Sequence, residues 1–286
     1  MGKYFSKKLI WLVLAAAFLG SLFFVFVKKD DLGVFQEKEA KIGWVSDIHA
    51  DRFKKRDVDS GLLYPKKYLE YLPKVFKAMK DEGIEVVIAT GDNTNSGDDN
   101  YARDLKRIAE EKKMDVIWVR GNHDNDEVMG ILGAEDYYFR DYGDTRIIVM
   151  DTTEYLNDEY DYKGGVSPRQ LAWLRESLKT DKEVIVAMHI PVFDSDTTTI
   201  NIHDLKGEFF GASQDVLERF SELEKILRES GKVKAVLSGH WHVMWQKEYN
   251  GVRYLGLPAL TRELSGMGAY ATINLDNKQV DYKFAR

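Results

Sequence analysis

Five of the six histidines of this 286-residue chain lie in short segments that also carry aspartate, asparagine and glycine. In chain order the segments are Asp47-Ile48-His49, Gly91-Asp92-Asn93, Gly121-Asn122-His123-Asp124, His189 and Gly239-His240-Trp241-His242. Imidazole nitrogens, carboxylates and an amide oxygen together form a ligand set for divalent Zn, Fe, Mn or Ni. Two such ions held roughly 3.5–4 Å apart share a bridging carboxylate. The residue types therefore predict a site for two divalent metal ions.

Two of these segments place candidate ligands two positions apart. Asp47 and His49 have this spacing, and so do His240 and His242. Side chains at positions i and i+2 leave an extended segment on the same side. Asp47 and His49 can therefore reach one ion, whereas the two imidazoles of the last segment can reach one ion each. A glycine precedes Asp92, which allows the backbone to approach the ions closely.

Each segment follows directly on an apolar, β-branched run that is typical of a buried strand. The runs cover residues 41–46, 85–90, 115–120, 183–188 and 234–238. Because residues that follow parallel strands emerge at one edge of an α/β sheet, we expect the segments to meet there. Amphipathic patterns predict helices over 73–82, 100–113 and 214–229, and a helix capped by Ser167 that begins at Pro168.

The remaining patterns predict hairpins and closing strands. A strand pair is predicted at 137–139 and 146–150, and closing strands at 254–257 and 271–275. The alternation of strands and helices predicts a two-layer or three-layer α/β sandwich, partly parallel, with a hairpin-rich end. Two polar stretches, 96–101 and 193–208, are candidates for a rim or lid; His203 in the second is interpreted as an ordinary loop residue.

Composition excludes several classes of protein. The chain is 44% hydrophobic and 31% charged with a net charge of -6, which is typical of a globular protein and not of a nucleic-acid coat. We therefore expect no nucleic-acid-binding footprint, although bound metals would still attract an anionic substrate. The absence of cysteine excludes disulfides, thiolate zinc sites and a cysteine nucleophile.

The N-terminus predicts a membrane anchor. Residues 9–27 carry no charge and are long enough to span a bilayer, and the following Lys28-Lys29 is a poor cleavage site. We expect a basic tail (1–8), a transmembrane signal anchor (9–27), a charged linker (28–40) and one large domain (41–286). Three lysines before the anchor and two directly after it favour a cytoplasmic N-terminus, so the large domain is expected outside the cytoplasm.

Together the segments resemble those of the calcineurin-like metallophosphoesterases, from about residue 41 to the C-terminus and in the order of that family. The resemblance implies an αββα sandwich of mixed β-sheets. It also implies one metal held by Asp47, His49, Asp92 and His242, and a second held by Asp92, Asn122, His189 and His240. Purple acid phosphatases lack the first histidine and have a tyrosine at the position of Asn95. The chain is therefore not expected in that branch.

The same resemblance implies hydrolysis of a phosphoester that remains unidentified. A hydroxide bridging the metals would attack phosphorus, and His123 would protonate the leaving oxygen or bind the phosphoryl group. Asp124, the next residue, is predicted to orient His123. Monoesters and diesters both remain open as substrates. The alternative is a non-catalytic scaffold of the same fold that binds metal or phosphate.

Overall fold

A computed structural model describes residues 41–54, 56–58, 61–153, 164–192, 215–262 and 267–285. They belong to a compact unit that extends from Ala40 to Arg286. The predicted tail, anchor and linker (1–8, 9–27 and 28–40) and the stretch 193–208 with His203 lie outside the described residues. Within the described ranges, no helix is long and apolar enough to cross a membrane.

The described residues form short strands and amphipathic helices in alternation. The strands are β1 (Lys41–Val45), β2 (Arg56–Val58), β3 (Gly61–Leu63), β4 (Val86–Thr90), β5 (Asp115–Val119), β6 (Tyr138–Tyr142), β7 (Thr145–Val149), β8 (Glu183–Ala187), β9 (Val233–Ser238), β10 (Trp245–Tyr249), β11 (Val252–Gly256), β12 (Gly268–Asn274) and β13 (Val280–Ala285). The helices are α1 (Tyr68–Asp81), α2 (Asp99–Glu111), α3 (Asp126–Leu132), α4 (Pro168–Ser177) and α5 (Asp215–Glu229), with a 3-10 turn at Pro65–Lys67.

Two mixed sheets carry the fold. One has the strand order β13-β12-β1-β4-β5, and the other β10-β11-β9-β8-β7-β6. Within the first, β1, β4 and β5 are parallel neighbours. Within the second, β7, β8, β9 and β11 run parallel to one another. The outer pairs of both sheets are antiparallel, so the predicted mixture of parallel and hairpin strands is confirmed.

Three apolar clusters show that the domain has four layers. Between the sheets, Trp44 and Ile117 pack with Ile185 and Leu237. The outer face of the first sheet is covered by α1, α2 and α3, and that of the second by α4 and α5. The predicted αββα sandwich is confirmed, whereas the two or three layers expected from the alternation alone are wrong. An apolar strand shows that both of its faces are buried, but it does not reveal whether a helix or a second sheet covers them.

Helix α1 begins five residues earlier than the sequence indicates. It starts at Tyr68 and contains Pro73 in its interior instead of its first turn. A proline there leaves the carbonyl of Leu69 without its helical N–H partner. Leu69 is exposed, so water can satisfy that carbonyl. The buried stripe continues across the proline and stabilises the helix; it consists of Tyr68, Tyr71, Leu72, Val75, Phe76 and Met79.

Candidate metal centre

The sequence segments meet because backbone pairing continues beyond the strand ends. The N–H of Asp47 donates to the carbonyl of Gly91 (3.1 Å), and that of His49 donates to Asp92 (2.8 Å). In the second sheet, the N–H of Gly239 donates to the carbonyl of His189 (3.1 Å). The loops after β1 and β4 are thus tied to each other, and so are those after β8 and β9. His189 Nδ1, which lies 2.8 Å from the carbonyl of Thr90, links the two pairs at the carboxyl edge of the sheets.

One group of four buried candidate metal ligands, here called a donor group, lies between the loops after β1, β4 and β9. Its members are Asp47, His49, Asp92 and His242, each of which offers a ligand atom within 4.8 Å of all the others. The Nε2 atoms of His49 and His242 face each other at 2.9 Å. His49 Nε2 lies 3.4 Å from Asp92 Oδ2, and His242 Nε2 lies 3.3 Å from Asp47 Oδ1. Two nitrogens and two carboxylates suit a divalent transition metal.

A second group shares Asp92 with the first. Asp92, His189 and His240 bring their ligand atoms within 4.8 Å of one another. Asn122 joins them, because its Oδ1 lies 3.0 Å from both His189 Nε2 and His240 Nδ1. His189 Nε2 also lies 3.2 Å from Asp92 Oδ1. The two oxygens of Asp92 therefore face different groups, so this carboxylate could serve a metal ion in each.

Backbone strain is concentrated at these ligands. The residues with positive φ include Asp47 (49°), His49 (46°), Asp92 (47°), His240 (69°) and His242 (57°). A non-glycine residue in this left-handed region costs about 1–3 kcal/mol. Such strain persists only where the surroundings enforce it, and it accumulates at functional sites. Left-handed turns just after the strands point the ligand side chains toward one another, so the local fold fits two metal ions.

Three glycines of the segments are required by close contacts. A Cβ on Gly121 would overlap the backbone nitrogen and Oδ1 of Asp92, and one on Gly239 would overlap Asp47 Oδ2. Gly91 has a φ of 85°, and a Cβ there would lie 2.5 Å from His189 Nδ1. The glycines therefore make room for the ligands.

The charges of the cluster suit metal binding. Burial lowers the pKa of His49 to about 3 and that of His240 to about 3, so both rings are neutral at pH 7. Burial raises the pKa of Asp47 and Asp92, but the neighbouring histidines outweigh it and keep the pKa of both carboxyls below the usual range. Neutral imidazoles and ionised carboxylates are the forms that bind metals.

His189 differs, because its ring is held in the charged form. Burial lowers its pKa, but the charge of Asp92 outweighs burial and raises the pKa to about 9. Both ring nitrogens face acceptors: Nδ1 lies 2.8 Å from the carbonyl of Thr90, and Nε2 lies 3.0 Å from Asn122 Oδ1. A metal must displace the proton on Nε2, while the bond from Nδ1 to Thr90 fixes the tautomer.

We therefore expect metal binding to release close to one proton at pH 7.5. The metal-free ring is protonated below pH 9, so affinity for the second ion should rise roughly tenfold per pH unit and level off above that value. Titration calorimetry with Mn²⁺ in two buffers of different ionisation enthalpy measures the released protons. Binding without proton release would show that His189 is neutral in the metal-free protein.

His123 lies beside the metal ligands but is oriented by an unexpected partner. Its Nδ1 lies 2.9 Å from the backbone carbonyl of Asn95, and its Nε2 lies 4.0 Å from Asp92 Oδ2. The ring is 21% exposed, so a bound substrate can reach it. Its backbone N–H donates to Asp92 Oδ1 (3.0 Å), which ties its position to the shared carboxylate.

The prediction that Asp124 orients His123 is wrong. Its carboxylate is buried and accepts hydrogen bonds from the backbone N–H groups of Asn93 (3.1 Å), Thr94 (2.9 Å) and Gly121 (3.0 Å). It also accepts from the Asn93 amide (2.9 Å) and the Thr94 hydroxyl (3.2 Å). Burial, together with the charge of Asp92, raises the pKa of Asp124. Asp124 thus joins the loops that carry Asp92 and Asn122.

Three residues that support the site have no role assigned from the sequence. Asn93 donates to both Val119 O (2.9 Å) and Asp124, which joins the ends of β4 and β5. Asp51 accepts from Asn95 Nδ2 (2.8 Å), and Arg262 donates to the carbonyl of His242 (2.6 Å). Asn93 and Asp51 lie within two positions of predicted ligands, which is a usable signal. Arg262 lies far along the chain from every segment and has no such signal.

Known proteins are similar to this chain over the part that carries the candidate metal ligands. A sequence profile of the family Calcineurin-like phosphoesterase matches residues 40–244. A probable cyclic nucleotide phosphodiesterase of Fibrobacter succinogenes is 25% identical over 219 residues, covering 72% of this chain and 74% of its own. The 3',5'-cyclic adenosine monophosphate phosphodiesterase CpdA of Haemophilus influenzae is 26% identical over 198 residues, covering 65% of each chain.

A solved structure shares the fold. A dimetal phosphatase from Danio rerio superposes with a TM-score of 0.69 at 15% identity, covering 86% of this chain and 96% of that one. The family profile covers well over half of the sequence and includes every ligand of both groups. This chain is a member of the calcineurin-like phosphoesterase family.

Proposed function

We propose that the chain is a metal-dependent phosphodiesterase whose two metal ions are held by the groups that share Asp92. The observation that carries the proposal is the convergence of two buried donor sets on the two oxygens of one carboxylate. Hydrolysis of diesters is favoured over that of monoesters because the Fibrobacter and Haemophilus relatives are described as cyclic nucleotide phosphodiesterases.

The metal ions and the side chains would have separate roles in hydrolysis. Divalent ions at this site would polarise the phosphoryl oxygens and lower the pKa of a water, so that hydroxide is available near neutral pH. The backbone N–H of His240 donates to Asp47 Oδ1 (3.0 Å), which fixes the orientation of the Asp47 carboxylate as a metal ligand. His123 Nδ1 donates a hydrogen bond to the carbonyl of Asn95. Its Nε2 faces the centre, and from the doubly protonated ring this nitrogen delivers its proton to the leaving oxygen while Nδ1 keeps its own.

A hydrolysis screen tests this proposal. The purified chain is assayed with Mn²⁺, Fe²⁺, Zn²⁺ or Ni²⁺ on bis-p-nitrophenyl phosphate, p-nitrophenyl phosphate and cyclic nucleotides. We expect metal-dependent turnover, faster on the diesters. Faster turnover of the monoester would make the chain a phosphatase. Stoichiometric metal without turnover of any substrate would instead favour a non-catalytic scaffold.

We expect His123→Ala to lower kcat by about 10²–10⁴, because it removes the proton donor to the leaving oxygen. The loss should be larger for an alkoxide leaving group than for p-nitrophenolate, which needs little protonation. Both metals should remain bound, since His123 belongs to neither donor group. Steady-state kinetics on the two substrates and elemental analysis measure these effects. An equal loss on both substrates would remove His123 from proton transfer.

For location, we propose that residues 9–27 anchor the chain in a membrane with the catalytic domain outside the cytoplasm. The support is the uncharged 19-residue stretch of the sequence and the lysines that precede it. A reporter fused after Arg286 that is active only outside the cytoplasm is the expected result. Activity restricted to the cytoplasm, or release of the chain from membranes by carbonate, would overturn the proposal.

A further inference from the structure

A surface beside the metal centre is basic, although the chain as a whole has a net charge of -6. We call it the basic rim; it consists of Arg52, Phe53, Lys54, Lys66 and Lys67, all of which are exposed. Its two segments are joined by a hydrogen bond from the N–H of Lys66 to the carbonyl of Phe53 (2.9 Å). The ring of Phe53 is 51% exposed and lies 5.8 Å from the guanidinium carbon of Arg52.

Most of this positive charge is not paired with a carboxylate in the part of the chain that the structure describes. Lys67 forms an ion pair with Glu70 (2.5 Å). Among the described residues, Arg52, Lys54 and Lys66 have no carboxylate within ion-pair distance. Three unpaired cations on one side of a site attract an anion and slow its departure.

The rim is connected to His123 by a short chain of hydrogen bonds. Asp51 Oδ1 accepts from the N–H groups of Arg52 (2.5 Å) and Phe53 (3.4 Å), and its Oδ2 accepts from Asn95 Nδ2 (2.8 Å). The carbonyl of Asn95 in turn accepts from His123 Nδ1 (2.9 Å). The rim therefore begins one residue after Asp51, whose carboxylate contacts Asn95, the residue that orients the proposed proton donor.

The other end of the rim is also fixed to the metal centre. The N–H of Tyr64, just before Pro65–Lys67, donates to the carbonyl of Thr261 (2.9 Å). The next residue, Arg262, is buried and donates to the carbonyl of His242 (2.6 Å). The chain on both sides of the rim is thus hydrogen-bonded to residues that support the metal centre, which holds the rim beside it.

We propose that the basic rim binds a second anionic group, a carboxylate or phosphate on the leaving part of the substrate. The inference rests on the proposed function, because it takes the leaving oxygen to face His123. A leaving group that extends past His123 reaches the rim, where Arg52, Lys54 and Lys66 pair with its anion. Phe53 supplies an apolar surface beside these charges.

A matched pair of substrates tests the proposal on the full-length chain. The two are methyl aryl phosphodiesters whose leaving nitrophenols differ by one carboxylate. We expect the wild-type chain to prefer the carboxylate-bearing substrate by roughly tenfold in kcat/KM, mainly through KM. The double variant Lys54→Glu/Lys66→Glu should reduce this ratio to about one or below, and 0.5 M NaCl should reduce it in the wild-type chain.

Lys113→Glu/Lys225→Glu is the matched control. Both lysines are exposed. Lys113 lies two residues before β5, and Lys225 lies in α5, which covers the second sheet, so neither belongs to the rim and the ratio should stay at its wild-type value. A ratio unchanged by the rim substitutions would overturn the proposal. The wild-type chain could instead show a ratio of one and depend on the rim only when the substrate is embedded in phosphatidylglycerol vesicles. That result would overturn the proposal and indicate a membrane-contact surface. If neither substrate is hydrolysed, the proposed function itself is contradicted.

Discussion

Replacing Asp92 with alanine is expected to lower kcat/KM by on the order of 10⁴ on every substrate, because ligands that act as a unit fail together. Asp92 is the residue common to both donor groups, and its two oxygens lie 3.4 Å from His49 Nε2 and 3.2 Å from His189 Nε2. Its removal leaves each group one ligand short. Both metals should therefore be lost, which elemental analysis of the purified variant measures.

The effect should be specific to this carboxylate. Asp144→Ala, at an exposed turn between β6 and β7, is the matched control and should keep both the metals and the activity. His242→Ala should be milder in metal content, since it removes a ligand from the first group alone. Retention of one full metal equivalent in Asp92→Ala would contradict the bridging role and would indicate two independent sites.

Removal of Asp92 should also lower the pKa of His189. In the metal-free chain, the ionised form of Asp92 holds the charge on His189. In Asp92→Ala the largest opposing charge is gone, whereas the charge of Asp47 and the hydrogen bond to Thr90 remain. Burial is then less fully opposed, so the pKa of His189 should fall below about 9. NMR titration of the histidine ring signals tests this shift independently of activity.

The sequence was most informative where chemistry and local structure coincide. The strand ends before Asp47, Asp92 and His189 could be predicted because an apolar run stops where polar ligands begin. The choice of partner for His123 could not, since it depends on which atom of a neighbouring loop lies closest. Asp124 is adjacent in sequence, yet its carboxylate accepts from backbone N–H groups of the loop after β4, and the ring of His123 contacts the carbonyl of Asn95.

The bounds of two helices were missed for a different reason. Helix α3 is seven residues long and begins two residues after Asp124, so its pattern is too short to distinguish from a loop. Its cap, Asn125, accepts from the N–H of Val128, and Gly133 ends it in a left-handed conformation (φ 76°). Pro73 made the predicted start of α1 too late. The helix continues across the proline because tertiary packing of its buried stripe outweighs the local cost of the proline.

The corrected role of Asp124 leads to the second large effect. Asp124→Ala should lower the free energy of unfolding of the metal-free chain by about 3–5 kcal/mol, since it leaves several buried donors without an acceptor. Those donors are the N–H groups of Asn93, Thr94 and Gly121, which lie 2.9–3.1 Å from the carboxylate. For a domain of this size the loss corresponds to roughly 10 °C in Tm. Denaturant unfolding in EDTA measures it without a contribution from bound metal.

Two variants separate this supporting role from direct participation in catalysis. Asp124→Asn keeps the shape of the side chain but turns one acceptor into a donor that faces other N–H groups, so it should not restore stability. Asp136→Ala removes an exposed aspartate paired with Arg120 and should cost less than about 1 kcal/mol. If Asp124→Ala instead lost turnover at wild-type stability, the carboxylate would act on His123 in the catalytic state, and the predicted orienting role would be restored.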